Sequence, residues 1–371
     1  MDLVARLIVG AAGAFLVVVI CMSAVRTFVV PRASGSFLTR VFFIVLRRIF
    51  ELIAHERRSF LARDRVLAVS APLGLVLMPG MWVIGVIIGG TGVHWAIEQH
   101  GLRDAFLVSG SSMLTLGVRF NASMPGAIVS FIQATIGLGL VALLISYLPT
   151  IYGSFSRRES AVAMLEVRAG TPPSPAEMLI RFWRIGMLEN YDDELLPRWE
   201  QWFVEVEESH SSISSLVFFR STQPERSWIT AAGCVLDSTA IYLSCIEGVR
   251  SPRGAIVLRT GFVTLRRICD VFNLPYEHDP RPGDPISVTR AEFDATFDEL
   301  VASGLPMKSD RDQAWRDFAG WRVNYDQPLV LLAKMIVAPD AKWSSDRSAP
   351  RITPPWTLRA ARAQAARGRV I

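Results

Sequence analysis

A chain of 371 residues that is 51% hydrophobic and 20% charged is too apolar for an ordinary soluble domain, yet too polar to lie wholly within a bilayer. The formal net charge of +5 comes mostly from an Arg-rich loop near the start and from the end of the chain, so it does not imply a nucleic-acid partner. No nucleophile elbow, phosphate loop or CxxC pair stands in a chemical context, so neither catalysis nor a metal or other cofactor is expected.

The first 35 residues hold an uncharged run of 19, Leu7 to Val25. This is longer than the apolar core of a signal peptide and lacks its basic start, so it predicts a membrane helix. Residues 36–65 follow as a basic amphipathic helix and linker. In SFLTRVFFIVLRRIFELIA, Arg40, Arg47, Arg48 and Glu51 fall largely on one helical face. Such a helix lies at the inner membrane surface or packs against the spans.

Residues 66–156 form the most informative stretch. Val66 to Ile97 carries no Lys, Arg, Asp or Glu, and neither does Phe120 to Phe155. Each is long enough for a bilayer of about 30 Å, which takes about 20 helical residues. Pro72 and Pro79 predict kinks in the first of them. Between them, Asp104 and Arg119 enclose 14 uncharged residues, too few to span. That segment is expected to dip into the membrane and return. Non-helical backbone at membrane depth is tolerated only where protein buries it or where it lines water. Ser109, Ser111 and Ser112 either hydrogen-bond behind this loop or serve as small packing residues. Gln133 and Thr135 either face a pore or join helices through polar contacts. His94 and Glu98 share a helical face and read as an interfacial rim beside Trp95, with a metal or proton sensor as the sharper alternative.

Orientation follows from basic residues beside the spans. The loop Arg26–Arg65 holds nine Arg against three acids, and Arg157 and Arg158 follow the last span. The opposite connection, HWAIEQHGLR, holds one Arg. The chain is therefore expected to be a multi-pass cell-membrane protein with its amino terminus outside and its carboxyl half cytoplasmic.

Residues 157–340 carry helix-capping signals. Ser156 precedes Glu159 by three positions, Ser174 precedes Glu177 with Pro175 between them, and Thr289 precedes Glu292. Each has capping-box spacing. Gly170 and Gly304 mark helix ends. Helices are predicted near 157–169, 175–189, 193–219, 226–247, 254–272, 290–303 and 310–337. Trp228 to Ile246 is apolar except for Asp237, so it is either a buried core helix, the preferred reading, or a fourth span. Cys21, Cys234, Cys245 and Cys269 show no ligand spacing and read as reduced, buried thiols. The acidic clusters Asp192–Glu194 and Glu205–Glu208 read as solvated helix surface. The Pro-, Ser- and Arg-rich residues 341–371 lack apolar periodicity and predict a basic disordered tail. The fold class expected is thus an all-α membrane protein: three transmembrane helices, a re-entrant pore loop and a cytosolic α-helical domain.

The segment DAFLVSGSSMLTLGVRF resembles the pore loop of tetrameric potassium channels, in their minimal helix–loop–helix form. In that family a short pore helix leads into Thr-Val-Gly-Tyr-Gly, whose carbonyl oxygens and Thr hydroxyl replace the ion's hydration shell. The resemblance makes Ala105 to Ser112 the pore helix and puts Thr115, Leu116, Gly117 and Val118 in the first four filter positions. Gly137 and Gly139 take the hinge of the pore-lining helix. Arg119 stands where the second filter Gly belongs, and Phe120 where an Asp usually stands. The run ISYLPTIYGSFSRRES is also similar to that of uncharacterised bacterial channel-like membrane proteins. The resemblance implies a homotetramer in the lipid bilayer that conducts monovalent cations, K+ at the family level. A non-conducting membrane sensor or scaffold that keeps the pore fold is the alternative, and Arg119 is the feature in its favour. An anion-permeable channel is a third reading.

Overall fold

The computed structural model describes residues 3–28, 37–54, 59–98, 101–119 and 123–348. Among them the structure is all-helical, with no strands. Twelve α-helices follow in order: α1 Leu3–Phe28, α2 Phe37–Ile53, α3 Phe60–Ile97, α4 Leu102–Met113, α5 Met124–Ala169, α6 Pro175–Arg184, α7 Leu196–Ser212, α8 Trp228–Cys245, α9 Pro252–Phe272, α10 Arg290–Ala302, α11 Arg311–Arg322 and α12 Asp326–Ile336. Two units divide the chain, Met1–Ile53 with Val69–Tyr152, and Ala54–Ala68 with Gly153–Ile371. Helices α3 and α5 contribute residues to both.

In the first unit, α1, α3 and α5 have 26, 38 and 46 residues, and each is long and apolar enough to cross a membrane. At about 1.5 Å rise per residue, all exceed the roughly 30 Å of hydrocarbon. Their side chains are largely uncovered: only 22%, 39% and 22% of their most apolar stretches are buried. Small residues bring α1 and α3 together. A Cβ at Gly10 would sit 2.7 Å from that of Ala96, and one at Gly89 would sit 2.7 Å from the Gly13 carbonyl. Gly85 and Gly89 have the small-xxx-small spacing that lets apolar helices approach closely where no hydrophobic effect drives them together. Trp82 Nε1 donates to Ser23 Oγ at 3.3 Å across the same pair.

Helix α2 packs against α1. Thr27 Oγ1 lies 3.0 Å from Thr39 Oγ1, and Phe43 and Leu46 fill the space beside Gly74. Arg48 is exposed, whereas the side chains of Arg40, Arg47 and Glu51 lie outside the described residues.

The second unit is built around α8. Helices α6, α9, α11 and α12 pack on it, and α7 packs on α9. Of the apolar stretch of α8, 94% is buried. Asp237, at its centre, accepts from Arg322 Nη1 at 2.5 Å and from the Tyr325 hydroxyl at 2.8 Å. Arg322 also donates to Asp326 at 2.8 Å and to the Trp343 carbonyl at 2.5 Å. Burial alone would lower the Arg322 pKa, but the two carboxylates outweigh it and hold the guanidinium firmly charged.

Local signals set several helix ends. Ser174 caps α6 with Pro175 in the first turn, and Thr289 and Glu292 form a complete capping box on α10. Gly170 and Gly304 end their helices at φ 78° and 85°. Four expectations are corrected. Ser156 is no cap, because α5 continues through it and Ser160 Oγ donates to its carbonyl at 2.9 Å. Helix α6 stops at Arg184 rather than residue 189, because Gly186 takes φ 70° and Met187 N bonds back to the Phe182 carbonyl. The stretch 193–219 is a π-helical turn, Tyr191–Leu195, then α7 with Pro197 in its first turn, then a 3-10 turn, Ser214–Phe218. The stretch 310–337 divides into α11 and α12, with Pro328 in the first turn of α12, where its missing N–H costs least.

The helical domain also runs past residue 340. Ala341, Trp343 and Ser344 are buried, and Arg347 pairs with Glu292 at 2.7 Å. One aromatic ring seated in the core orders these residues against the low hydropathy around them. The expected tail from residue 349 onward lies outside the described residues. Cys234, Cys245 and Cys269 are free and buried, and Cys21 is free and half-buried.

Candidate functional site

The site is built on α4, a helix of 12 residues. At about 1.5 Å per residue it is roughly 18 Å long, well short of a bilayer. Ala105, Val108, Ser109, Ser111 and Met113 are its buried residues. The chain then turns back through residues 114–119. Thr115 N bonds to the Ser112 carbonyl at 3.1 Å, and Leu116 N to the Ser111 carbonyl at 2.9 Å. Arg119 N donates to Ser111 Oγ at 3.1 Å. Ser111 thus ties both arms of the loop, through its carbonyl and its hydroxyl.

Two of the expected filter positions have left-handed backbone, Thr115 at φ 53° and Gly117 at φ 67°. Glycine adopts this conformation freely, but a β-branched threonine does so only under strain. The surrounding hydrogen bonds hold it there. Leu116 is 61% and Val118 75% exposed. The Arg119 side chain is exposed as well, and among the described residues it makes no ion pair with Asp104 or Glu98. Glu98 instead accepts from Ser123 Oγ at 2.8 Å. Phe120 lies outside the described residues.

Behind α4 lies a chain of buried polar groups drawn from α3, α4 and α5. His94 Nε2 lies 2.8 Å from Gln133 Oε1, and Gln133 Nε2 donates to Ser109 Oγ at 2.9 Å. Ser109 Oγ donates in turn to the Ile87 carbonyl at 2.8 Å. A side-chain amide nitrogen only donates, so Gln133 presents its oxygen to His94 and His94 Nε2 carries a proton. His94, Ser109 and Gln133 are 1%, 0% and 2% exposed. The interfacial rim expected for His94 is therefore corrected: the ring is buried against α5. Gln133 was legible only as one polar residue in an apolar helix, and its partners lie 39 and 24 positions away. Thr135 is exposed and bonds to the Phe131 carbonyl of its own helix at 2.9 Å.

At Gly137 the requirement is spatial: any Cβ there would collide with the Met113 carbonyl, where the end of α4 rests on α5. Gly139 has open space beside it. Both lie within continuous α5. Among the described residues no group of His, Cys, Asp and Glu could hold a metal ion.

No protein-family model, curated protein or solved structure matches the chain.

Proposed function

We propose that this protein is one subunit of a homotetrameric, potassium-channel-like pore that conducts monovalent cations. The observation that carries the reading is the short α4 followed by a turn with left-handed Thr115 and Gly117, set in sequence between two span-length helices. One such loop supplies one wall, so a symmetric ring of four completes an axial pore. Exposure of Leu116 and Val118 in the single chain fits a surface that other copies cover. Thr115, Leu116, Gly117 and Val118 then form a short filter, Arg119 borders its outer mouth, and Gly137 and Gly139 lie on the pore-lining helix.

In this reading α1, α3 and α5 span the cell membrane, the amino terminus is outside, and the second unit is cytoplasmic and gates or assembles the pore. Helix α8 is then a core helix. Its central Asp237 is neutralised by Arg322 within its own domain, and its apolar surface is already covered.

Arg119 favours a second reading, a non-conducting sensor or scaffold that retains the pore fold. It is exposed at the end of the loop, and it adds four positive charges to a ring of four copies. Potassium, sodium and chloride flux from proteoliposomes, with oligomeric state measured in detergent, decides between them. A tetramer that passes cations supports the pore. An intact tetramer without flux supports the sensor or scaffold. Chloride flux makes it an anion channel, and a stable monomer ends the pore reading.

A further inference from the structure

We propose that Gln133 is the positioning residue for the re-entrant loop, clamping α4 between α3 and α5 at one fixed depth and rotation. The inference rests on the pore reading for its consequence, but its geometry stands independently. Gln133 and Gly137 lie one turn apart on α5, as do Ser109 and Met113 on α4. Ser109 bonds Gln133, and the Met113 carbonyl rests at Gly137. The two rungs advance together along both helices, so they set one register. A slide of α4 along α5 breaks both at once.

The third helix locks the first rung. Val86, Gly90 and His94 form a stripe on α3 at intervals of four. The Val86 carbonyl accepts from Gln133 Nε2 at 3.4 Å, and His94 meets Gln133 Oε1. Gly90 leaves the room these contacts need. A Cβ there would sit 2.6 Å from Ser109 Oγ and would collide with the Gln133 amide. The hydrogen bonds run in one direction, His94 to Gln133 to Ser109 to the Ile87 carbonyl, so no member can flip without stranding another. Ser111, half a turn beyond Ser109, carries the order into the loop through Leu116 N and Arg119 N. A leucine at position 133 would fill the space but hold no register.

The test uses full-length protein in proteoliposomes, comparing wild type with Gln133→Leu and Ser109→Ala. Ser109→Ala is the milder change and serves if Gln133→Leu fails to assemble. Hydrogen exchange is followed in a peptide covering residues 114–119 and in a control peptide from α1, alongside the potassium-to-sodium permeability ratio. Loop exchange is expected to accelerate about tenfold, the factor that loss of one buried hydrogen bond carries in an opening equilibrium, with α1 unchanged. The permeability ratio should fall toward one while the tetramer persists. Unchanged loop exchange and unchanged permeability in both variants would overturn the role of Gln133 and leave the pore reading standing. If wild type passes no ions, the pore reading fails, and the exchange data alone decide the clamp: faster loop exchange upholds it and unchanged exchange overturns it.

Discussion

Arg158 Nη1 donates to His210 Nε2 at 3.0 Å inside the helical domain. The guanidinium is 2% exposed and the imidazole 0%. Arginine has no lone pair to offer, so His210 Nε2 must accept, and the ring proton sits on Nδ1, 3.0 Å from Ser209 Oγ. The same guanidinium donates to the Leu216 carbonyl at 2.9 Å and the Phe219 carbonyl at 2.7 Å, so it holds the 3-10 turn against α5.

This contact gives the domain an acid sensitivity of definite sign. Burial first, and the Arg158 charge second, keep the His210 pKa well below its ordinary value. Below about pH 6.5 the unfolded chain takes up a proton that the folded chain refuses, so stability falls as pH drops, by up to about 1.4 kcal/mol per unit. His210→Gln retains an acceptor for Arg158 and should flatten this slope. Thermal unfolding of the purified protein between pH 5 and 7 measures it, and equal slopes in variant and wild type would show that His210 is not the titrating group.

The Arg322 network makes a prediction of breakage and partial repair. Arg322→Leu leaves Asp237 buried without its cation and should cost about 3–5 kcal/mol. Asp237→Asn in that background removes the stranded charge while leaving an acceptor for the Tyr325 hydroxyl, and should recover a large part of the loss. Chemical denaturation of the single and double variants gives the coupling. Additive losses would mean that the two side chains act independently.

At Gly117 a side chain meets no collision, since nothing lies within 4 Å of its Cβ position. The effect of Gly117→Val is therefore one of backbone conformation. A β-branched residue at φ 67° costs about 1–2 kcal/mol and pulls the loop toward extended backbone. Cation flux should vanish while expression and the tetramer are retained. Unaltered flux would remove residues 115–118 from the conduction path.

Arg119 is exposed and free of the two acids nearest in sequence, so its charge should act on ions rather than on the fold. With screening over about 8 Å in physiological salt, four such charges at an outer mouth repel entering cations together. Arg119→Gly should raise cation conductance and weaken block by external anions, with thermal stability unchanged. Equal conductance in variant and wild type would place the guanidinium away from the ion path.

Reporter fusions placed after Gly170 and at the carboxyl terminus should both report the cytoplasm. A fusion at the carboxyl terminus reporting the outside would make α8 a span, and Asp237–Arg322 could not then be an internal pair of a cytoplasmic domain.

What the sequence determined by itself is what depends on neighbours in the chain. Uncharged runs marked α1, α3 and α5, because length and hydropathy alone qualify a helix to cross a bilayer. Ser174, Thr289, Gly170 and Gly304 marked helix ends, because caps and left-handed terminators act over three or four residues. The short segment after Asp104 was legible as too short to span, and α4, Leu102–Met113, has 12 residues. Ser156 shows the limit: the capping pattern was present, but α5 stays helical through it.

Tertiary structure decided the rest. Length and hydropathy admitted α8 alongside α1, α3 and α5 as apolar enough to span; their cover within the fold differs, with 94% of the apolar stretch of α8 buried against at most 39% for the others. It also drew Trp343 into the core from a segment with no helical pattern. Above all it joined His94, Ser109 and Gln133, each an isolated polar residue in its own helix. In sequence each looked like an exception to its surroundings. In the fold they satisfy one another, because a hydrogen-bonding group buried between apolar helices must find its partner wherever in the chain that partner lies.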